Sequence, residues 1–338
     1  MAPRIFVVLV FMLALLAPGA SDAVGQSADV DSVRTLLAGG NAQAAMEFAN
    51  LAVKARPEDA GAHCALALAR NAARELEPAI ASGERCVELA PAIAAYQLIL
   101  GESLMELAGE RGGLGAMGPA RRGKAAVERA IELDPDNVAA RLQLFFFHIN
   151  APAIAGGSKA EAQRQADEIK QRDPAMGTWA AYRLRVQDAS DEERAGFFNE
   201  ALPLIGTAAD SEGYAAGTAT NAAATVKSET LSEKLVAQLY QAHASDPRVR
   251  YARARLWALQ GTNLEEAARI LEAYVQAPEL PPFSPAIAGA HWRLGVVYEK
   301  QGRTSEALEQ YQTAVTMAPD FQQAKEDLER LEKENAGN

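Results

Sequence analysis

Prolines recur along this chain at intervals close to 34 residues or to twice that length. The positions that mark the intervals are Pro57, Pro91, Pro135, Pro174, Pro247, Pro285 and Pro319, which stand 34, 44, 39, 73, 38 and 34 residues apart. The segments before the first three are alike: AQAAMEFANLAVKARP, EPAIASGERCVELAP and GKAAVERAIELDP. Because proline cannot continue an α-helix, each mark is an expected helix end in a repeated unit. A period of this length predicts a stack of similar units.

The composition favours helices as the content of these units. Hydrophobic residues make up 49% of the chain but aromatic residues only 6%, so Ala and Leu carry most of the apolar content. Both residues are strong helix formers and poor strand formers. The formal net charge of -11 argues against nucleic acid as a partner, since its phosphate backbone attracts basic surfaces. An anionic membrane surface is disfavoured for the same reason.

The clearest unit is AIAGAHWRLGVVYEKQGRTSEALEQYQTAVTMAPD near the C-terminus. Its marked positions are Leu294, Gly295, Tyr298, Gly302, Ala307, Tyr311, Ala314 and Pro319. This pattern resembles the tetratricopeptide repeat (TPR), a 34-residue helix-turn-helix with L-G-x-x-Y, Ala, an aromatic residue, Ala and Pro at these offsets. The small residues suit a place where helix A and helix B of one repeat approach closely, and the tyrosines fill the space between them.

The resemblance implies an all-α fold, a right-handed α-solenoid superhelix of about eight TPR-like helix pairs. Residues 322–334 (QQAKEDLERLEKE) are expected to form a polar C-terminal capping helix, because a solenoid must cover its last repeat. The chain is divided into an N-terminal array over 24–176, divergent helical repeats over 177–249 that lack the consensus small residues, and C-terminal repeats over 250–338. An alternative is a pair of unrelated helical bundles.

The N-terminal residues 1–23 have the pattern of a cleavable signal peptide of a bacterial-type exported protein. Arg4 supplies the positive region, Ile5 to Leu16 an apolar core, and Ser21-Asp-Ala23 a small-x-small cleavage site. The apolar core is shorter than the roughly 20 residues that a membrane-spanning helix needs. The sequence therefore predicts a periplasmic or secreted protein without stable membrane insertion after cleavage.

Two neighbouring repeats carry extra residues, and both insertions were expected to lengthen the turn between helices A and B. The predicted loops are 107–122 and 150–158, which would lie on one edge of a solenoid. Basic residues cluster there: Arg111, Arg121, Arg122, Lys124 and Lys159. One hypothesis is a site for an acidic partner or an anionic ligand, since long loops on a rigid scaffold often carry function. The alternative is that the glycines cap helices and the charges face solvent.

The second insertion ends in GGSK, which invites comparison with a phosphate-binding loop. Such a loop needs GxxxxGK[ST], but here the first glycine is missing and Ser158 precedes Lys159. Ser158 is expected instead to cap the following helix. The four histidines lie in no metal-binding spacing, and no GxSxG elbow is present. The prediction is a protein that is not an enzyme and has no cofactor or bound metal.

The two cysteines, Cys64 and Cys86, fall on helices A and B of the second repeat. Antiparallel helices would place them at similar height, so a disulfide is geometrically possible, and an exported compartment would permit it. Two buried thiols are the simpler alternative, and a zinc site that includes His63 is a third.

In proteins that this chain resembles, helices A line the concave face, with their fifth and ninth positions directed to it. The candidate groove residues are Leu98, Glu102, Leu142, Phe146 and Trp292. The Lys and Asn residues with which some TPR modules grip the C-terminal carboxylate of chaperones are absent. A mostly apolar groove suits an amphipathic helix or an extended peptide, although Leu142 and Phe146 could equally pack against the next repeat.

The expected function is that of a non-enzymatic protein-interaction scaffold of the cell envelope, with a protein partner on the concave surface and no nucleic acid. The alternative function is the binding of an anionic non-protein ligand, such as a glycan, by the basic loops.

Overall fold

The computed structural model describes residues 27–210, 212–281 and 283–336, and every regular element in these ranges is helical. The described residues form two compact units, which meet in the sequence between Asp173 and Pro174. Each consists of antiparallel helix pairs, so the predicted all-α helical-repeat fold is confirmed. The signal peptide expected over 1–23 lies outside the described residues. Among those described, no helix is both long and apolar enough to cross a bilayer.

The first unit contains four helix pairs, in which the first helix is helix A and the second is helix B. They are α1 (Ala28–Ala38) with α2 (Ala42–Ala55), α3 (Ala60–Ala72) with α4 (Leu76–Leu89), α5 (Ala94–Arg111) with α6 (Met117–Leu133), and α7 (Val138–Asn150) with α8 (Lys159–Arg172). Each helix A packs on its own helix B, and α1, α3 and α5 also pack on the helix A of the next pair.

The second unit contains four further pairs and a single last helix. They are α9 (Pro174–Arg185) with α10 (Asp191–Ala201), α11 (Tyr214–Thr225) with α12 (Glu229–His243), α13 (Pro247–Gln260) with α14 (Leu264–Val275), α15 (Ile287–Lys300) with α16 (Thr304–Met317), and the C-terminal α17 (Gln322–Ala336). The stretch without consensus residues therefore forms two helix pairs. Helix α17 packs on α16, where the cap was predicted.

The recurrent prolines act through the residue that precedes them. The residues before five of these prolines have φ between -141° and -134° and ψ between 73° and 94°: Arg56, Ala90, Asp134, Asp173 and Ala318. A proline ring excludes its predecessor from the helical region, so each helix B stops at this point. Pro174 and Pro247 also begin the next helix, where a missing N–H costs nothing.

The carbonyl oxygen of the repeat-ending proline is bound by a side chain six residues later in three successive repeats of the first unit. His63 Nε2 lies 2.8 Å from the Pro57 oxygen, and Gln97 Nε2 donates to the Pro91 oxygen at 3.1 Å. Arg141 donates to the Pro135 oxygen from Nε at 3.0 Å and from Nη2 at 2.7 Å. This contact fixes each helix A against the end of the preceding helix B.

The predicted loop over 107–122 is wrong, because most of these residues are helical. Helix α5 continues to Arg111 and α6 already begins at Met117, so only a short turn joins them. Leu107 and Ala108 are buried and hold the end of α5, which Gly112 terminates at φ 58°. Pro119 falls within the predicted loop, but it lies in the first turn of α6, where its missing N–H has no helical partner to lose. The insertion therefore lengthens both helices.

Helices α15 and α16 approach each other at a glycine. A Cβ atom added at Gly295 would lie 2.6 Å from the Tyr311 ring and 3.2 Å from the Ala307 carbonyl oxygen. Tyr311, Ala307 and Ala314 are fully buried, and the Tyr311 hydroxyl donates to Glu299 Oε2 at 2.7 Å. The small residues of the repeat thus act as predicted, by making room for the tyrosine.

We expect Gly295→Ala to lower the free energy of unfolding by about 1 to 3 kcal/mol, because the added methyl group overpacks the Tyr311 ring. Gly289→Ala on the same helix is the matched control: nothing lies within 4 Å of its Cβ position. That variant should be neutral or stabilising by up to about 1 kcal/mol. Urea unfolding of both proteins measures the difference, and equal midpoints would contradict the proposed close approach.

Cys64 on α3 and Cys86 on α4 form a disulfide, and both residues are fully buried. The bond consumes both thiols, so a zinc site with His63 is not formed; His63 binds the Pro57 carbonyl instead. The two cysteines are 22 residues apart, and the bond links helix A to helix B of the second repeat.

Loss of this disulfide should lower stability by about 3 kcal/mol, the loop-closure entropy expected for a segment of this length. The measurement is urea unfolding with and without a reductant. A Cys64→Ala/Cys86→Ala variant serves as the control, because a reductant should leave its midpoint unchanged. An unaltered midpoint for the reduced parent chain would show that the bond contributes nothing.

Candidate partner-binding surface

The residues that the sequence assigns to the fifth and ninth positions of helices A differ in exposure in the first unit. The fifth positions are Val30, Cys64, Leu98 and Leu142, which are 0%, 0%, 5% and 6% exposed. The ninth positions are Arg34, Leu68, Glu102 and Phe146, and all four are partly exposed. Leu98 and Leu142 were predicted to contact a partner, but they are packed inside the unit and are not available to one. Glu102 and Phe146 remain candidates.

Two interactions connect Glu102 to other helices A of the first unit. Gln143 on α7 donates from Nε2 to Glu102 Oε1 on α5 at 3.2 Å, which joins the third and fourth repeats. The charge of Arg34 on α1 acts on Glu102, which brings the first repeat into the same neighbourhood. We call the set Arg34, Leu68, Glu102, Gln143 and Phe146 the A-helix surface.

Glu102 is the polar centre of the A-helix surface. Its pKa is raised, chiefly because burial removes water from the carboxylate, while the charge of Arg34 and the hydrogen bond from Gln143 partly offset this effect. Within the described residues Glu102 forms no ion pair at contact distance. A desolvated carboxylate with one hydrogen bond has acceptor sites left for a ligand.

Phe146 and Leu68 give the A-helix surface its apolar part. The Phe146 ring packs edge-on against Phe145, with ring centroids 5.5 Å apart, while Phe145 itself is fully buried. Leu68 packs against the core around Cys64 and remains partly exposed. The surface therefore combines an acidic group with aromatic and aliphatic contacts.

Trp292, the candidate groove residue of the second unit, binds the C-terminal helix. Its Nε1 donates to Asp327 Oδ2 at 2.8 Å, and its ring packs edge-on against Phe321 at a centroid distance of 5.4 Å. The indole thus anchors α17 on α15. It lies in a different unit from the A-helix surface.

The predicted basic site is largely neutralised by acidic neighbours. Arg111 donates to Glu77 at 2.9 Å, Arg122 pairs with Glu84, and Lys124 pairs with Glu128 one turn along α6. Arg121 and Lys159 are exposed. Three of the residues, Arg121, Arg122 and Lys124, lie on α6 and not on a loop.

The GGSK segment is not arranged to bind phosphate, because its amides are already used. The N–H groups of Gly156, Gly157 and Ser158 donate to the carbonyls of Ala153, Pro152 and His148 at 3.0, 3.1 and 3.1 Å. The Ser158 hydroxyl accepts from the Glu161 N–H at 3.3 Å, as expected of an N-cap. The described residues include no group of three or more His, Cys, Asp or Glu that could hold a metal ion.

Sequence reasoning missed the arginines of the second unit. Helix α13 (PRVRYARARLWALQ) contains four arginines and no acidic residue, in a protein with net charge -11. This local excess of positive charge was readable from the sequence. The proximity of α13 to Arg293 could not be read from the sequence, because Arg293 is on α15, one full repeat later.

A family model for the tetratricopeptide repeat matches residues 288–321. No curated protein matches the chain. Among solved structures, the APC/C hetero-tetramer Cut9–Hcn1 is similar at 13% identity and a TM-score of 0.50, over 92% of this chain and 50% of that chain. The chain thus spans half of that protein's length. At this identity the likeness shows the fold alone.

Two other tetratricopeptide-repeat proteins are similar over nearly their whole length. The protein from Parabacteroides merdae ATCC 43184 has 13% identity and a TM-score of 0.44, with 90% of this chain and 97% of that one covered. YrrB, a TPR protein with an unusual peptide-binding site, has 15% identity and a TM-score of 0.29, with 72% and 96% covered. Residues 288–321 match the tetratricopeptide repeat, and the chain has the helical-repeat fold of proteins built from such repeats.

Proposed function

We propose that this protein is a non-enzymatic scaffold that binds a segment of a partner protein on the A-helix surface of its first unit. Tetratricopeptide-repeat proteins are generally interaction scaffolds, which gives the proposal its class. The observation that carries it is Glu102, a partly exposed residue that accepts a single hydrogen bond, from Gln143, and whose pKa is raised because burial disfavours its charged form.

The composition of the A-helix surface favours a protein segment as the ligand. Phe146 and Leu68 offer apolar contact, while Glu102 and Gln143 offer hydrogen-bonding groups beside it. An amphipathic helix or an extended peptide carries both kinds of group at the spacing of neighbouring repeats. A lysine, arginine or backbone N–H of the partner would fill the free acceptor sites of Glu102.

We place the protein outside the cytoplasm, in the cell envelope or the medium. The Cys64–Cys86 disulfide supports this proposal, because such bonds persist in oxidising compartments. The alternative function, glycan binding by the basic residues of the third and fourth repeats, is not favoured: Arg111, Arg122 and Lys124 already have carboxylate partners.

A photoreactive benzophenone side chain at Phe146 should form discrete adducts with a partner protein when the full chain is irradiated in extract of its source cells. The matched control carries the same group at Leu51 of α2, a helix B residue that is 60% exposed. Adding Glu102→Lys to the Phe146 probe should remove most of the adduct, because the new charge repels the group that Glu102 binds. Identical adducts from both positions, or none from Phe146, would refute the proposed surface.

Glu102→Gln should raise the urea midpoint at about pH 7 and leave it nearly unchanged at about pH 3.5. Because burial raises the pKa of Glu102, its stabilising contribution is complete below the ordinary glutamate pKa of about 4.3 and is lost as the pH rises through the raised value. Glutamine cannot ionise and avoids this loss.

Glu77→Gln is the control of opposite sign. The hydrogen bond from Arg111 lowers the pKa of Glu77, so its removal should lower the midpoint at about pH 7, if only slightly for so exposed a pair. A Glu102→Gln protein that is less stable than the parent at neutral pH would mean that the carboxylate is satisfied within the fold.

A further inference from the structure

Two arginines of the second unit lie close together without an acidic partner. Arg255 is on α13 and Arg293 is on α15, and the charge of Arg255 acts on Arg293. Among the described residues neither forms an ion pair, whereas Arg248 on the same helix as Arg255 pairs with Asp246 at 2.6 Å. The charged or ionisable groups that act most on Arg293 are Tyr251, Arg255 and Tyr311, and none is a carboxylate.

Arg293 is held in a nearly buried position with unused hydrogen-bonding capacity. Its exposed fraction is 8%, and its Nε has no hydrogen-bond partner. The guanidinium lies over the ring of Trp292, 4.2 Å from the centroid, so its plane is oriented by the indole. The Nε–H is thus a buried donor without an acceptor, which is destabilising.

Tyr251 completes the group. It stands one helical turn before Arg255 on α13, so both side chains project from the same face of that helix. The charge of Arg293 acts on the Tyr251 hydroxyl, which places the hydroxyl next to the guanidinium. Arg255 is only partly buried and makes the group reachable from solvent. Tyr251, Arg255 and Arg293 together form the candidate site.

The charge around Arg255 and Arg293 is positive, and no ion pair within the described part of the chain compensates it. Burial and the neighbouring positive charge both lower the pKa of the Arg293 guanidinium, so the fold opposes its charge on two counts. A carboxylate that binds the partly exposed Arg255 beside Arg293 would offset the repulsion between the two positive charges. Arginine binds carboxylates through two parallel hydrogen bonds, which gives such a contact both strength and direction.

We propose that Arg255 and Arg293, with Tyr251, bind an aspartate or glutamate side chain of an acidic segment in a partner protein. The site is on helices A of the third and fourth pairs of the second unit and shares no residue with the A-helix surface. The two proposals can therefore fail independently. Helix α13 adds to the attraction, since it has no acidic residue of its own.

The test uses the full chain and a fluorescent hexaglutamate peptide that is acetylated and amidated, so that only side-chain carboxylates carry charge. Fluorescence anisotropy at about 0.15 M salt should detect binding that Arg255→Gln weakens at least tenfold, as expected for loss of a charged hydrogen-bonded contact. Arg269→Gln is the matched control. Arg269 is an exposed arginine on the neighbouring α14, paired with Glu266, and its removal should change the dissociation constant less than twofold.

Arg293→Met keeps the test independent of folding defects. An apolar side chain of similar length removes the buried charge, so this variant should melt at the same temperature as the parent or higher, yet lose peptide binding at least tenfold. Equal losses in Arg255→Gln and Arg269→Gln would reduce the effect to general charge attraction and overturn the site. So would equal binding of hexaglutamine, no binding of hexaglutamate, or tighter binding of inorganic phosphate than of the peptide.

Discussion

The close approach of helix A and helix B within each pair is the constraint on which the rest of the structure depends. Three repeats achieve this close approach in different ways. At Gly295 the Tyr311 ring fills the space that a side chain would need. In the third repeat a Cβ on Gly101 would meet the Gly123 carbonyl at 3.2 Å, and one on Gly123 would meet the Gly101 carbonyl at 3.1 Å. In the second repeat a disulfide draws the two helices together.

The features that could be predicted from the sequence are those with a cause nearby in the chain. Proline acts on the residue before it, so helix ends at Arg56, Ala90 and Ala318 were predictable from the spacing alone. The loop over 107–122 was mispredicted because Gly and Pro also suit a helix start, and burial of Leu107 decided the outcome. Leu98 and Leu142 were assigned to a groove by analogy, but exposure depends on how successive repeats rotate. Arg255 and Arg293 are 38 residues apart in the sequence, so their proximity depends on how α13 and α15 pack.

The groups singled out in the two units have opposite charge. In the first unit burial raises the pKa of Glu102, which accepts one hydrogen bond from Gln143. In the second unit the Nε of Arg293 has no hydrogen-bond partner, and the guanidinium lies over the Trp292 ring. Groups of this kind oppose stability in the free protein, which is consistent with sites that are completed by a ligand. The predicted basic edge differs from both, because its charges are matched by glutamates on adjacent helices.

In three of the four repeats of the first unit, the hydrogen bond at the end of the repeat has a main-chain acceptor, the proline carbonyl, which a side-chain mutation leaves in place. His63, Gln97 and Arg141 have little in common except a nitrogen that reaches the proline carbonyl six residues back. The contact therefore needs only a main-chain carbonyl oxygen on one side and a side-chain nitrogen long enough to reach it on the other. The residue that donates this hydrogen bond can therefore differ between repeats, while the packing of one repeat on the next stays the same. Sequence divergence between its repeats need not imply divergence in how they assemble.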